Sequence, residues 1–279
     1  MRTTAVVAVA LAGLALAASA VAQQNTPRIY NTAKAKLARG AQIVGGTVTS
    51  PDPAIYCAMA NSGFDYLWIE MQHSPLTYQE VASMIWACRG APAMPFIRVP
   101  DSTPGDIQKA MDIGALGIII PLVDSVEEIR SAVEYTMYPP RGKRSLGNGQ
   151  YGALYGNDYR QTANDNVVIV AMIESPAGVA IADEIASVPG VDVVFAASTD
   201  LGSFSGMRQG QPDYEALVKT IHDATLEAGR KLGGPLAWRD RSDFTFFQAP
   251  TESNFIRLGV EAALKAAPTG QAPIEGAER

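Results

Sequence analysis

The chain has only two histidines, His73 and His222, and two cysteines, Cys57 and Cys88, in 279 residues. Two histidines exclude a multi-histidine zinc site built within one chain. Neither cysteine has a histidine near it in sequence. No G-x-S-x-G segment occurs, so the strained serine elbow of the α/β hydrolases is missing. Charged residues are sparse, at 18%, and acids outnumber bases by 28 to 22. That balance leaves no concentrated basic surface for nucleic acid, although a small anionic substrate can still be held by local groups. No repeat of fixed period and no interdomain linker interrupts the chain. With 47% hydrophobic residues it is neither disordered nor a low-complexity fibre, and it can bury a large core.

What is present begins with an export signal. Arg2 supplies a positive end, residues 6–18 are an uninterrupted run of small apolar side chains, and Ala20-Val21-Ala22 matches a small-x-small cleavage site. The run is shorter than the ~20 apolar residues of a membrane span. The reading is therefore a signal peptide over 1–22, with no membrane attachment after cleavage. No arginine pair precedes the run, and no cysteine follows it to carry a lipid. Export, with the bacterial periplasm as the expected compartment, offers Cys57 and Cys88 an oxidising environment in which to pair. Both lie in apolar helical stretches that equally suit two buried thiols, so their pairing stays open.

From residue 41 the chain alternates short β-like runs with amphipathic helical patterns. The strand candidates are 41–48, 64–71, 94–99, 116–121, 167–174, 191–197, a weak 231–237, and 254–259. Several are continuous hydrophobic runs, as in a parallel sheet buried on both faces. Eight strands in this rhythm predict a single-domain (β/α)8 TIM barrel over 41–266, an α/β fold of the size usual for such barrels. An open doubly wound sheet is the competing fold. Residues 23–40 form an N-terminal extension, and 267–279 form a loose polar tail. The irregular stretch 137–164 is long enough to suggest a functional or interface role. Within it, residues 147–152 spell G-x-G-x-x-G, but no strand precedes them, so this is not a dinucleotide site.

Barrel enzymes carry their chemistry at the C-terminal ends of strands. Those ends hold Glu70 and His73, Arg98, Glu174, and Asp200. Two separated carboxylates with few histidines suit a hard divalent ion such as Mg2+, or Mn2+. His222, on an amphipathic helix, reads as structural.

The ordered segments GFDYLWIEMQHSPLTYQEV, PFIRVP, ALGIIIPLVDSVEE, YPPRGKRSLG and MIESPAGV followed by TDL resemble the HpcH/HpaI aldolase and citrate lyase family, the metal-dependent class II pyruvate aldolases. The resemblance implies that Glu174 and Asp200 bind a divalent cation, Mg2+ or alternatively Mn2+ or Co2+. It implies that Arg98 stabilises a pyruvate enolate formed at the metal, with Ser198 and Thr199 beside the substrate. It makes His73 the residue of proton transfer and Asp112 the acid that pairs with it. It also implies a homo-oligomer, commonly a hexamer with exchanged C-terminal helices. Asp112 ends a helix that runs away from the mouth for ~15 Å at 1.5 Å per residue, so its pairing with His73 is expected between neighbouring subunits.

The implied activity is carbon–carbon lysis of a 4-hydroxy-2-oxo acid to pyruvate and an aldehyde, and the partner is a small oxo-acid. Three features depart from the family pattern: Gln72 where an acid is familiar, Met172 where a glutamine is frequent, and Ala197-Ser198-Thr199 in place of a Gly-Pro-Ala segment. These departures, together with export, keep two alternatives in view. One is a barrel binding protein without turnover, and the other is a related enolate reaction such as oxaloacetate decarboxylation.

Overall fold

The computed structural model describes residues 27–266, so the expected signal peptide and tail lie outside the described residues. Eight parallel strands close on themselves: β1 (Ile43–Val48), β2 (Tyr66–Glu70), β3 (Met94–Arg98), β4 (Gly117–Ile120), β5 (Val168–Ile173), β6 (Val193–Ala196), β7 (Lys231–Pro235) and β8 (Phe244–Thr251). Ile43 pairs with Phe246 to join the last strand to the first, which rules out the open sheet. The helices are α1 (Thr32–Ala38), α2 (Pro53–Ala60), α3 (Tyr78–Ala87), α4 (Pro104–Asp112), α5 (Val126–Thr136), α6 (Tyr151–Tyr155), α7 (Tyr159–Asn166), α8 (Pro176–Ala180), α9 (Ala182–Ser187), α10 (Ser198–Ser205), α11 (Pro212–Glu227) and α12 (Glu252–Ala266). Their starts are written locally. Thr77 and Glu80 form a reciprocal capping box on α3, and Thr103, Ser125 and Ser175 cap α4, α5 and α8.

One element differs from the sequence reading. The eighth strand is Phe244–Thr251, and residues 254–259 belong to α12. A six-residue segment in which Phe255, Ile256 and Leu258 are the apolar side chains does not distinguish strand from helix by period alone. Here the segment sits inside fifteen residues that continue helically. The strand itself is rich in phenylalanine, with Phe244, Phe246 and Phe247 all buried.

The barrel interior is a separate core dominated by rings. Tyr66 stacks on Phe246 and tilts against Phe96, both at 4.7 Å between centroids, and Trp68 leans on Phe195 at 5.2 Å. Glycines on neighbouring strands make room for these rings. A Cβ at Gly45 would lie 2.1 Å from the Tyr66 ring, and one at Gly117 would lie 2.3 Å from the Phe96 ring. The expected extension contributes to the same body. Ala33 and Leu37 of α1 pack under the barrel, and the Asn31 amide donates to the carbonyls of Leu116 and Asn166 at 3.0 and 2.7 Å.

Cys57 of α2 and Cys88 at the end of α3 form a disulfide, with Cα atoms 5.4 Å apart. No helix among the described residues is long and apolar enough to cross a membrane.

Candidate active site

Side chains alternate along a strand, so the parity that sends Trp68, Phe96, Met172 and Phe246 inward also sends Glu70, Arg98, Glu174 and Gln248 inward, one step nearer the C-terminal mouth. Glu70 and Arg98 stand in register on β2 and β3. Arg98 Nη1 donates to Glu70 Oε2 at 3.2 Å, and Nη2 donates to both oxygens of Glu174 at 3.1 and 3.3 Å. Glu70 and Arg98 are each 5% exposed, and Glu174 is fully buried. One guanidinium thus holds two buried carboxylates together, the charge-assisted arrangement that burial requires.

Glu70 has a further task. Its Oε2 accepts from the Trp68 indole at 3.0 Å, while Oε1 accepts from the amides of Gln72 and His73 at 2.9 and 3.1 Å. The loop bearing His73 is therefore tied to the strand end below it. The parity of β2 is the sequence signal for this role, but parity alone does not reveal the two loop amides.

Burial pushes the Glu174 carboxyl up to about 7, and the facing Asp200 adds to that shift; Arg98 and the Leu122 amide oppose it. Leu122 N donates to Glu174 Oε1 at 2.8 Å. Asp200 lies in the first turn of α10, directly after β6. Two acids facing each other at a buried mouth are an arrangement that a hard divalent cation relieves, and an all-oxygen donor pair is what such ions prefer. Among the described residues, no set of three His, Cys, Asp or Glu side chains forms a preformed cage. The fit thus rests on the Glu174–Asp200 pair together with oxygens from outside the chain. Arg98 Nε is buried without a hydrogen-bond partner, so the site keeps one donor unsatisfied.

The other expected residues are placed unevenly. Ser198 is buried and its carbonyl accepts from the Tyr214 hydroxyl at 2.9 Å, which fixes α10 against α11; Thr199 is exposed. His73 lies exposed on the rim. Met172 is buried in the ring-filled interior directly beneath Glu174 and makes the floor of the site apolar. Gln72 has a buried amide oxygen with no partner.

Asp112 is not at this mouth within one chain. It ends α4 and accepts from Arg144 Nη2 at 2.9 Å and Gln108 Nε2 at 2.8 Å. The Arg144 side chain is itself fully buried among the rings of Tyr138, Tyr151 and Tyr159, at 4.5, 5.2 and 5.4 Å. The glycine-rich 147–152 segment runs alongside. There the Gln150 backbone N–H donates to the Asp112 carbonyl at 2.9 Å, and the Gln150 side-chain amide donates to the Ile113 carbonyl at 2.6 Å. Together these two bonds clasp the end of α4. The stretch 137–164 is thus a packed structural element around Arg144. His222 lies on the surface of α11, between the carboxylates of Asp223 and Asp243 at 2.9 and 3.2 Å.

Comparison with known proteins extends this geometry. Residues 48–266 match the family model described as HpcH/HpaI aldolase/citrate lyase. The hydroxypyruvate/pyruvate aldolase of Roseovarius nubinhibens is 31% identical over 245 residues, covering 86% of this chain and 94% of the relative. The 5-keto-4-deoxy-D-glucarate aldolase of Shigella boydii is 30% identical, covering 75% and 83%. Among solved structures, an HpcH/HpaI aldolase/citrate lyase family protein from Burkholderia cenocepacia superposes with a TM-score of 0.77 at 27% identity, covering 84% of this chain and 98% of that one.

Proposed function

The chain belongs to the HpcH/HpaI aldolase/citrate lyase family and is a carbon–carbon lyase, and from that premise we propose that it cleaves a 4-hydroxy-2-oxo acid to pyruvate and an aldehyde with the aid of a divalent cation. The observation that carries this reading is the placement of Arg98 between buried Glu70 and Glu174, with Asp200 facing Glu174, at the mouth of the closed barrel. In the reaction the C3–C4 bond breaks and its electron pair passes toward the 2-oxo group, leaving an enolate. The 4-hydroxyl loses its proton as the aldehyde forms, and C3 then takes a proton to give pyruvate.

Each residue has a defined part in that sequence. Glu174 and Asp200 hold the cation, Mg2+ first and Mn2+ or Co2+ as alternatives, which supplies Lewis-acid stabilisation of charge on the substrate's oxo group. Arg98 directs its unsatisfied Nε–H at the oxygen that becomes negative, an interaction stronger in the transition state than in the ground state. His73, held by Glu70 through its amide, accepts the 4-hydroxyl proton. Ser198 and Thr199, opening α10, contact the carboxylate of the pyruvate half. Asp112 comes from a neighbouring subunit to orient His73. Ile256, Val260 and Leu264, spaced four residues apart, are exposed along one face of α12, and this apolar face supports assembly into a homo-oligomer, with a hexamer as the expected form. The signal-like residues 1–22 and the disulfide support export to the periplasm.

The test is pyruvate release from a panel of 4-hydroxy-2-oxo acids with Mg2+, Mn2+, Co2+ or chelator, using the wild type, Glu174→Ala and Asp200→Ala. Metal-dependent pyruvate that disappears in both variants supports the lyase. No pyruvate from any acid, with metal still bound, sinks it. One observation favours a second reading. The imidazole of His73 is exposed and makes no hydrogen bond among the described residues, and decarboxylation of a 2-oxo dicarboxylic acid uses Arg98 and the cation without that base.

A further inference from the structure

The mouth has two chemically different sides. Glu70, Arg98, Glu174 and Asp200 come from β2, β3, β5 and the turn after β6. Opposite them, at the ends of β1, β7 and β8, lies a cleft of about 540 Å³ lined in part by Thr47, Pro235, Leu236, Gln248, Thr251 and Asn254. None of these side chains is charged. They offer hydroxyl and amide groups over an apolar floor. The Gln248 amide donates to Thr47 Oγ1 at 3.3 Å, and the Asn254 amide donates to Thr251 Oγ1 at 3.1 Å. The acid beside this wall is Glu252, 5% exposed, which accepts from the Thr49 hydroxyl at 2.6 Å and from its amide at 3.1 and 3.2 Å.

Resting on the aldolase reading above, we infer that this wall receives the aldehyde half of the substrate and selects a short, neutral, hydroxylated chain over one ending in a carboxylate. Hydroxyls on the incoming chain exchange hydrogen bonds with Thr47, Gln248, Thr251 and Asn254. A terminal carboxylate meets no cation on the wall and a buried acid close behind it, so it loses water without gaining a partner. A site built of hydroxyl and amide groups rejects a ligand that leaves charge or polar groups unpaired.

The experiment runs the reaction in the condensing direction with pyruvate and measures kcat/KM for glycolaldehyde and glyceraldehyde against glyoxylate and succinic semialdehyde. Exchange of the pyruvate methyl protons into deuterated water is followed in parallel, because it reports enolate formation without any aldehyde. The expected result is a preference for the neutral aldehydes of roughly tenfold or more. Asn254→Arg, with its melting temperature measured alongside, is expected to narrow that ratio by introducing a cation at the wall. Equal or reversed preference in the wild type overturns the inference. A preference that Asn254→Arg leaves unchanged, in a variant that melts like the wild type, overturns the assignment to this wall. Exchange without condensation of either aldehyde class overturns the inference alone. Absence of both exchange and condensation removes the aldolase reading, and this inference falls with it.

Discussion

Arg98 and Glu174, 76 residues apart, meet across the barrel mouth through one nitrogen: Nη2 donates to both carboxylate oxygens, at 3.1 and 3.3 Å. The same guanidinium holds Glu70 through Nη1 at 3.2 Å, so a single side chain sets the spacing of two buried acids.

On the function proposed above, Arg98 serves both stability and chemistry. Arg98→Met leaves Glu70 and Glu174 buried without their cation and is expected to destabilise the protein by about 3–5 kcal/mol. Arg98→Lys keeps a charge but loses the planar fork, so kcat is expected to fall by about 100-fold or more. Thermal melts and steady-state kinetics on the two variants separate these effects. A Lys variant with wild-type kcat would show that the fork is dispensable.

Glu174 gives the metal-free protein a particular pH dependence. Its folded-state value of about 7 lies above the ordinary 4.5, so between these two pH values the native state retains a proton that the unfolded chain has released. The associated stability is complete below pH 4.5 and is lost as pH rises through 7. In chelator, the contribution of this group makes the protein more stable at about pH 5 than at about pH 8. If Glu174 holds the cation as proposed, binding must displace this proton, so apparent affinity should drop by about tenfold per pH unit below 7. Melts at both pH values with and without Mn2+, joined to a titration of metal affinity, check both statements.

The Cys57–Cys88 bond closes a separation of 31 residues between α2 and α3. Chain-entropy reasoning gives it about 3–4 kcal/mol of stability. Cys57→Ser with Cys88→Ser is expected to lower the denaturant midpoint by a corresponding amount. Because the bond lies away from the mouth, kcat at a temperature where the variant stays folded is expected to change little.

If Asp112 reaches His73 only across a subunit boundary, two impaired variants can repair one another. His73→Ala and Asp112→Asn should each lose most of their turnover when assayed alone. Unfolding the two together and allowing mixed oligomers to assemble is expected to restore activity, because some sites then draw an intact His73 from one chain and an intact Asp112 from another. Lack of recovery in mixed oligomers shown to contain both chains would place the pair elsewhere.

Strand parity and buried parallel runs make the barrel legible in the sequence, because both follow from local backbone geometry and from which faces lack water. The same parity puts Glu70, Arg98 and Glu174 at strand ends. Strand β8 is not legible, because the competing segment at 254–259, with Phe255, Ile256 and Leu258, is too short for its period to be read and only packing assigns it to α12. The disulfide is equally undecided there, since sequence spacing does not set the 5.4 Å between Cα atoms that allows it.

What the sequence alone determined is thus the alternation of elements and the identity of the polar groups at their ends, both products of short-range periodicity. Only the tertiary structure decided that Glu70 binds both Arg98 and the amides of the His73 loop, that Arg144 is buried against Asp112, and that an uncharged wall faces the acids across the mouth. The Arg98–Glu70 and Arg144–Asp112 contacts join residues 28 and 32 positions apart, while the bonds from Glu70 to the loop amides are local but depend on the turn that follows β2. The β2–β3 register brings Arg98 to Glu70, closure of the barrel brings β1 beside β8 and so forms the wall, and burial drives most of these polar groups to find partners.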